Sequence, residues 1–131
     1  MFEAVLFDLD GTLADTAPDL CGAVNNLLVE EGRPQQPFSS LRPYTSQGVR
    51  GLLWKGFGIA ASHGEYARLS ARFLEIYAGQ LCDLSRLFDG IPELLDTLES
   101  RRIAWDIVTN KRARYTEPLV AALGLTPRTR C

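Results

Sequence analysis

The 131-residue chain has little of what several functional classes require. Histidine occurs once, as His63 between Ser62 and Gly64, where loop residues surround it. That leaves little room for a serine–histidine–aspartate triad. Cysteine occurs three times, at Cys21, Cys82 and Cys131, widely spaced and without a C-x-x-C pair. An odd, scattered set indicates neither a disulfide framework nor a thiolate zinc site, and suits a reducing cytoplasm. Charge of one sign is not in excess: 14 Lys and Arg stand against 16 Asp and Glu, a net charge of -2. Such a balance supplies no field for steering onto nucleic acid or anionic lipid, so neither is expected as a partner. No apolar run reaches the roughly 20 residues that span a bilayer, and Met1 leads into a strand-like segment, not a basic leader. The expectation is a protein neither exported nor embedded in a membrane. Repeats and low-complexity tracts are absent, while 46% hydrophobic residues and a mean hydropathy of -0.05 describe a globular chain with a real core.

The apolar residues change period along the chain. Phe2–Phe7 is nearly continuous and reads as a buried strand, followed at once by the turn-forming residues Asp8, Asp10 and Gly11. From Ala17 the spacing becomes helical: Leu20, Val24, Leu27 and Leu28 share a face, Asp15 or Thr16 can cap, and Gly32 with Pro34 ends the pattern. A turn to Pro43 precedes a second helical face of Val49, Leu52, Leu53 and Phe57, weakened in propensity by glycines at 48, 51, 56 and 58. A clearer helix is predicted over 64–81. Another follows from Ile91, with Leu94, Leu95 and Leu98 on one side, then a strand over Ile103–Val108 and a last helix over Ala113–Leu123. Gly124 is placed to cap that helix, with Pro127 beyond it. Strand, helical insert, helix, strand, helix is an α/β order interrupted by an all-helical module.

Two places carry chemistry. Asp8 and Asp10, at i and i+2, end the first strand and are followed by Gly11 and Thr12. Ligands of open α/β sheets bind at the carboxyl ends of strands. A plain strand-ending turn uses the same residues. An EF-hand does not fit, since a strand precedes and the twelfth loop position is Asp19. Thr109 and Asn110 end the second strand, ahead of a helix whose free N–H groups favour an anion, although helix capping alone also explains them. If the strands are neighbours, Thr109 faces the same crevice as Asp8.

Together FDLDGTLADT and VTNK, with a helical insert between them, resemble motifs I and II of the haloacid dehalogenase (HAD) superfamily. The likeness covers essentially the whole chain, including FDGIPELL and LGL, and is nearest the phosphoglycolate phosphatase and N-acetylmuramic acid 6-phosphate phosphatase subgroups. It implies a partial Rossmann-like core, residues 1–15 and 85–131, with parallel strands at 2–8 and 103–109 and a helical cap over 16–84. It also implies Mg²⁺-dependent hydrolysis of a small phosphorylated metabolite in the cytoplasm. Asp8 would be the nucleophile and Asp10 the acid/base. Gly11, Thr109 and Asn110 would cradle the phosphate, and Asp8 with the Asp10 carbonyl would hold the metal. Gln47 and Arg50, in the polar stretch from Thr45, would touch substrate, or else form a solvated helix start.

The family's third motif, a lysine, and its fourth, an acidic pair, find no match after Asn110. Lys111 belongs to the VTNK phrase and Glu117 lies inside the last helix. The resemblance therefore implies the N-terminal part of a longer enzyme. A phosphosugar mutase of β-phosphoglucomutase type shares both motifs, and a non-catalytic binding remnant is the alternative of a different class. Dehalogenation is disfavoured, because halide departure needs no acid at Asp10. Trp54, Tyr44 and Phe57 are expected in the cap core, and Lys111, Arg112 and Arg114 on a solvated helix face.

Overall fold

The computed structural model describes residues 4–125. Phe2 of the first predicted strand, Pro127 and Cys131 lie outside the described residues. Two compact units divide the chain: one contains the residues up to Thr16 and from Ser85 on, the other is Ala17–Leu84.

The first unit is built on two parallel strands, β1 (Ala4–Phe7) and β4 (Ala104–Ile107), paired Ala4 to Ala104 and Phe7 to Ile107. Strand β1 ends at Phe7, where its apolar run ends, and β4 lies one residue inside each end of the run Ile103–Val108. Phe7 and Trp105 meet edge to face at 6.3 Å. Helix α5 (Ile91–Ser100) packs on β4, burying Leu95, and α6 (Ala113–Ala122) buries Tyr115, Leu119 and Val120. The sequence gives no alternation for a further pair of two-residue strands, β2 (Ala14–Asp15) and β3 (Arg86–Leu87), which run antiparallel. They are too short to show a period.

The second unit is all helical: α1 (Ala17–Glu30), α2 (Phe38–Leu41), a 3₁₀ turn (Arg42–Gln47), α3 (Gly48–Phe57) and α4 (Tyr66–Ala78). Helix α1 is central and packs against α3, α4 and the 3₁₀ turn. Its buried stripe of Leu20, Val24, Leu27 and Leu28 is the one its spacing predicts. At its start Asp19 is buried and its carboxylate accepts the backbone N–H of Leu84, tying the unit's two ends together. The glycines of α3 answer to packing as well as propensity. A Cβ on Gly51 would lie 2.6 Å from both the Tyr44 carbonyl oxygen and the Gln47 Cβ, so this helix approaches the 3₁₀ turn as only glycine permits. Trp54 corrects an expectation: it is 54% exposed, because Leu52, Leu53 and Phe57 face inward and the helical rotation carries position 54 outward. Phe57 is buried as expected. No helix among the described residues is long and apolar enough to cross a membrane.

Candidate active site

Parallel pairing brings two loops out of the sheet side by side. The Val108 N–H bonds the Phe7 carbonyl at 2.8 Å, extending the register to the last residue before each loop turns. Asp8–Ala14 and Thr109–Arg112 therefore leave from the same, carboxyl, end of adjacent strands, the location at which open α/β sheets bind ligands.

The first loop is held by its own backbone. The Leu9 carbonyl accepts N–H groups from Thr12, Leu13 and Ala14, and the Gly11 N–H returns to the Ala14 carbonyl at 2.8 Å. Gly11 has φ +79°, a left-handed conformation that side chains resist, so glycine is what the sharp turn requires. Leu9 and Leu13 are buried beneath, which leaves Asp8 exposed and Asp10 half-buried. One oxygen of Asp10, Oδ1, accepts two donors: the Thr16 hydroxyl at 2.7 Å and the Lys111 ammonium at 2.9 Å.

The second loop is fixed similarly. The Thr109 hydroxyl accepts the Lys111 N–H at 3.1 Å, and the Thr116 hydroxyl donates to the Lys111 carbonyl at 3.1 Å. Lys111 thereby leaves the solvated face expected of it: its side chain is only 12% exposed, while Arg112 and Arg114 stay in solvent. Spacing could not reveal this, since the residue follows a strand end and precedes the helix. The available signal was a lone lysine one position past Asn110, in a loop bound for the two aspartates.

The structure thus gathers Asp8, Asp10, Gly11, Thr109 and Asn110 at one end of the parallel pair. Gln47 and Arg50 belong to the helical unit, where Gln47 ends the 3₁₀ turn, Arg50 lies in the first turn of α3, and both are exposed. His63 is an exposed loop residue whose Nδ1 accepts the Glu65 N–H. Among the described residues no three or more of His, Cys, Asp and Glu gather as a metal cage. Magnesium needs no such cage, since it commonly takes one or two carboxylates and completes its shell with water and phosphate oxygens. The hard oxygens of Asp8 and the Asp10 main chain fit that donor chemistry.

Residues 5–128 match the profile of haloacid dehalogenase-like hydrolases. The chain is 39% identical over 128 residues to an N-acetylmuramic acid 6-phosphate phosphatase of Pseudomonas aeruginosa, covering 98% of this chain and 57% of that one. It is 37% identical over 126 residues to a phosphoglycolate phosphatase of Caulobacter vibrioides, covering 94% and 53%. Its structure superimposes with a TM-score of 0.82 on the crystal structure of "a predicted phosphoglycolate phosphatase" from Haemophilus somnus, at 27% identity, over 98% of this chain and 60% of that one. The chain spans about half the length of the curated relatives it matches.

Proposed function

The chain belongs to the haloacid dehalogenase-like hydrolases, and from that premise we propose that it serves the hydrolysis of a small phosphate monoester through an aspartyl-phosphate on Asp8. The observation that carries this reading is the pair Asp8 and Asp10 at the carboxyl end of β1, beside the Thr109–Asn110 turn at the end of its parallel neighbour. The relatives named for phosphoglycolate and for N-acetylmuramic acid 6-phosphate support a small phosphorylated metabolite as the substrate class.

An Asp8 carboxylate oxygen attacks phosphorus, and the bond from phosphorus to the ester oxygen breaks. Asp10 gives its proton to the departing alkoxide. Water then attacks the same phosphorus, Asp10 takes the water's proton, and inorganic phosphate leaves as the Asp8 carboxylate is restored. The Thr109 hydroxyl and the Asn110 N–H orient the phosphoryl oxygens, and the Gly11 turn lets backbone approach them. Mg²⁺ held by Asp8 and the Asp10 carbonyl would neutralise the charge that two carboxylates and a phosphate place together. Gln47 and Arg50 are assigned to choosing among substrates, so changes there should alter discrimination between esters more than reactivity toward a small activated one.

The test is turnover of a panel of phosphate esters with and without Mg²⁺, in wild type and in Asp8→Asn and Asp10→Asn. Asp8→Asn should lose about 10³-fold or more, because the amide forms no acyl phosphate. The loss in Asp10→Asn should grow with the leaving-group pKa. Near-wild-type hydrolysis by Asp8→Asn would sink the reading.

A further inference from the structure

We propose that Lys111 is a positioning residue for Asp10, an inference that rests on Asp10 being the acid/base. Its ammonium and the Thr16 hydroxyl converge on one carboxylate oxygen, Oδ1, at 2.9 and 2.7 Å. Two donors on Oδ1 fix the rotation of the carboxylate and leave Oδ2 as the oxygen that carries the proton. Both donors are well enclosed, with Thr16 3% exposed and the Lys111 side chain 12%. A lysine stem is ordinarily flexible and loses rotamer freedom when ordered. Here its backbone is held on both sides, N–H to Thr109 and carbonyl from Thr116, which reduces the freedom left to lose. Because Thr109 and Lys111 are two residues apart, the turn that presents the phosphate-facing Thr109 also aims Lys111 at Asp10. The two loops are thereby locked by a charge-assisted contact between residues 101 positions apart.

Lys55 and Lys111 are the only lysines of these 131 residues, and in the full protein the Lys111 ammonium signal is assigned by its loss in Lys111→Ala. In ¹⁵N spectra of the lysine side chains of the whole protein, Asp10→Asn should shift or broaden away the Lys111 ammonium signal and leave that of Lys55 in place. In the full protein, Lys111→Ala should lower kcat about 10-fold or more on an alkyl ester such as 2-phosphoglycolate, whose departure needs an aimed acid. KM should change little, p-nitrophenyl phosphate should lose much less, and Lys111→Arg should recover most of the alkyl-ester loss. Equal losses on both esters, or a rise in KM alone, would overturn the role, the latter assigning Lys111 to substrate binding. A Lys111 signal indifferent to Asp10→Asn overturns it as well. Wild type that turns over neither ester overturns the phosphatase reading itself, and this role with it, even where the spectra show the ion pair intact.

Discussion

Helix α1 and strand β1 found the two units, and they are buried in opposite ways. Eight of the fourteen residues of α1 are buried, whereas none of the four in β1 is, and Leu6 is 67% exposed. In the α/β unit burial moves to the loop that follows the strand, where Leu9, Leu13 and Ala14 are fully covered. The helical unit is thus held by packing around one long helix. The α/β unit is held by buried side chains of α5, β4 and α6, among them Leu95, Trp105 and Leu119, and at its first loop by backbone hydrogen bonds and the buried Leu9 and Leu13 beneath Asp8 and Asp10. The long packed helix and the candidate site therefore lie in different units, and substitutions can test them separately.

The largest expected effect tests the packed side. Phe73 is fully buried and stacks on Tyr77 at 6.1 Å, so Phe73→Ala should lower unfolding free energy by about 3–5 kcal/mol in denaturant titration. A loss below about 1 kcal/mol would erase the contrast. Gly51→Ala should cost about 1–3 kcal/mol, because the Tyr44 carbonyl oxygen and the Gln47 Cβ both block the new methyl and backbone must shift. A neutral result would mean that the 3₁₀ turn yields readily.

A smaller effect compares two helix ends with the same hydrogen bonding. Helix α1 closes with Gly32 at φ +72° and the Arg33 N–H on the Leu28 carbonyl; α5 closes with Arg102 at φ +58° and the Ile103 N–H on the Leu98 carbonyl. Arginine has a Cβ in a conformation that suits glycine, so Arg102→Gly should raise stability by up to about 1 kcal/mol, read as a higher thermal midpoint. The smallest effect is electrostatic. On the surface of the helical unit Arg68 bonds Glu31 and Glu65, and the Arg68 contact holds the Glu31 carboxyl below its usual range. A carboxyl lowered in the folded state adds stability above its unfolded pKa and loses it as pH falls through the lowered folded value. Arg68→Gln should therefore flatten the acid limb of the stability–pH curve slightly, and salt should shrink the difference.

What was legible in the sequence follows from period and punctuation. The stripe of α1, the α4 and α5 faces and the Gly32 stop are patterns over many residues, and these helices lie within three residues of their expected limits. The residues alone left the pairing of the strands as a condition on Thr109 facing Asp8, and the family resemblance implied the parallel pair that the structure has. Three things had no such signal. Two-residue strands have no period, so β2 and β3 were invisible. Trp54 is outward although aromatic, because its side of α3 depends on one helical rotation past Leu53. Lys111 carries its meaning in a contact with Asp10 that only the register of two distant strands creates.

That register also constrains the order of folding. Joining Ala4 to Ala104 requires closing almost the whole chain, an entropic demand made before any reward from the contact. The α1–α4 helices meet through much nearer neighbours in sequence, and β2 with β3 brings Asp15 opposite Arg86, the two residues that bracket the insert. Once the insert has collapsed and that short antiparallel clasp has formed, the span left for β1 and β4 to bridge shrinks to the few residues outside the clasp and α5. A helical module placed between the two loops thereby shortens the search by which they find each other.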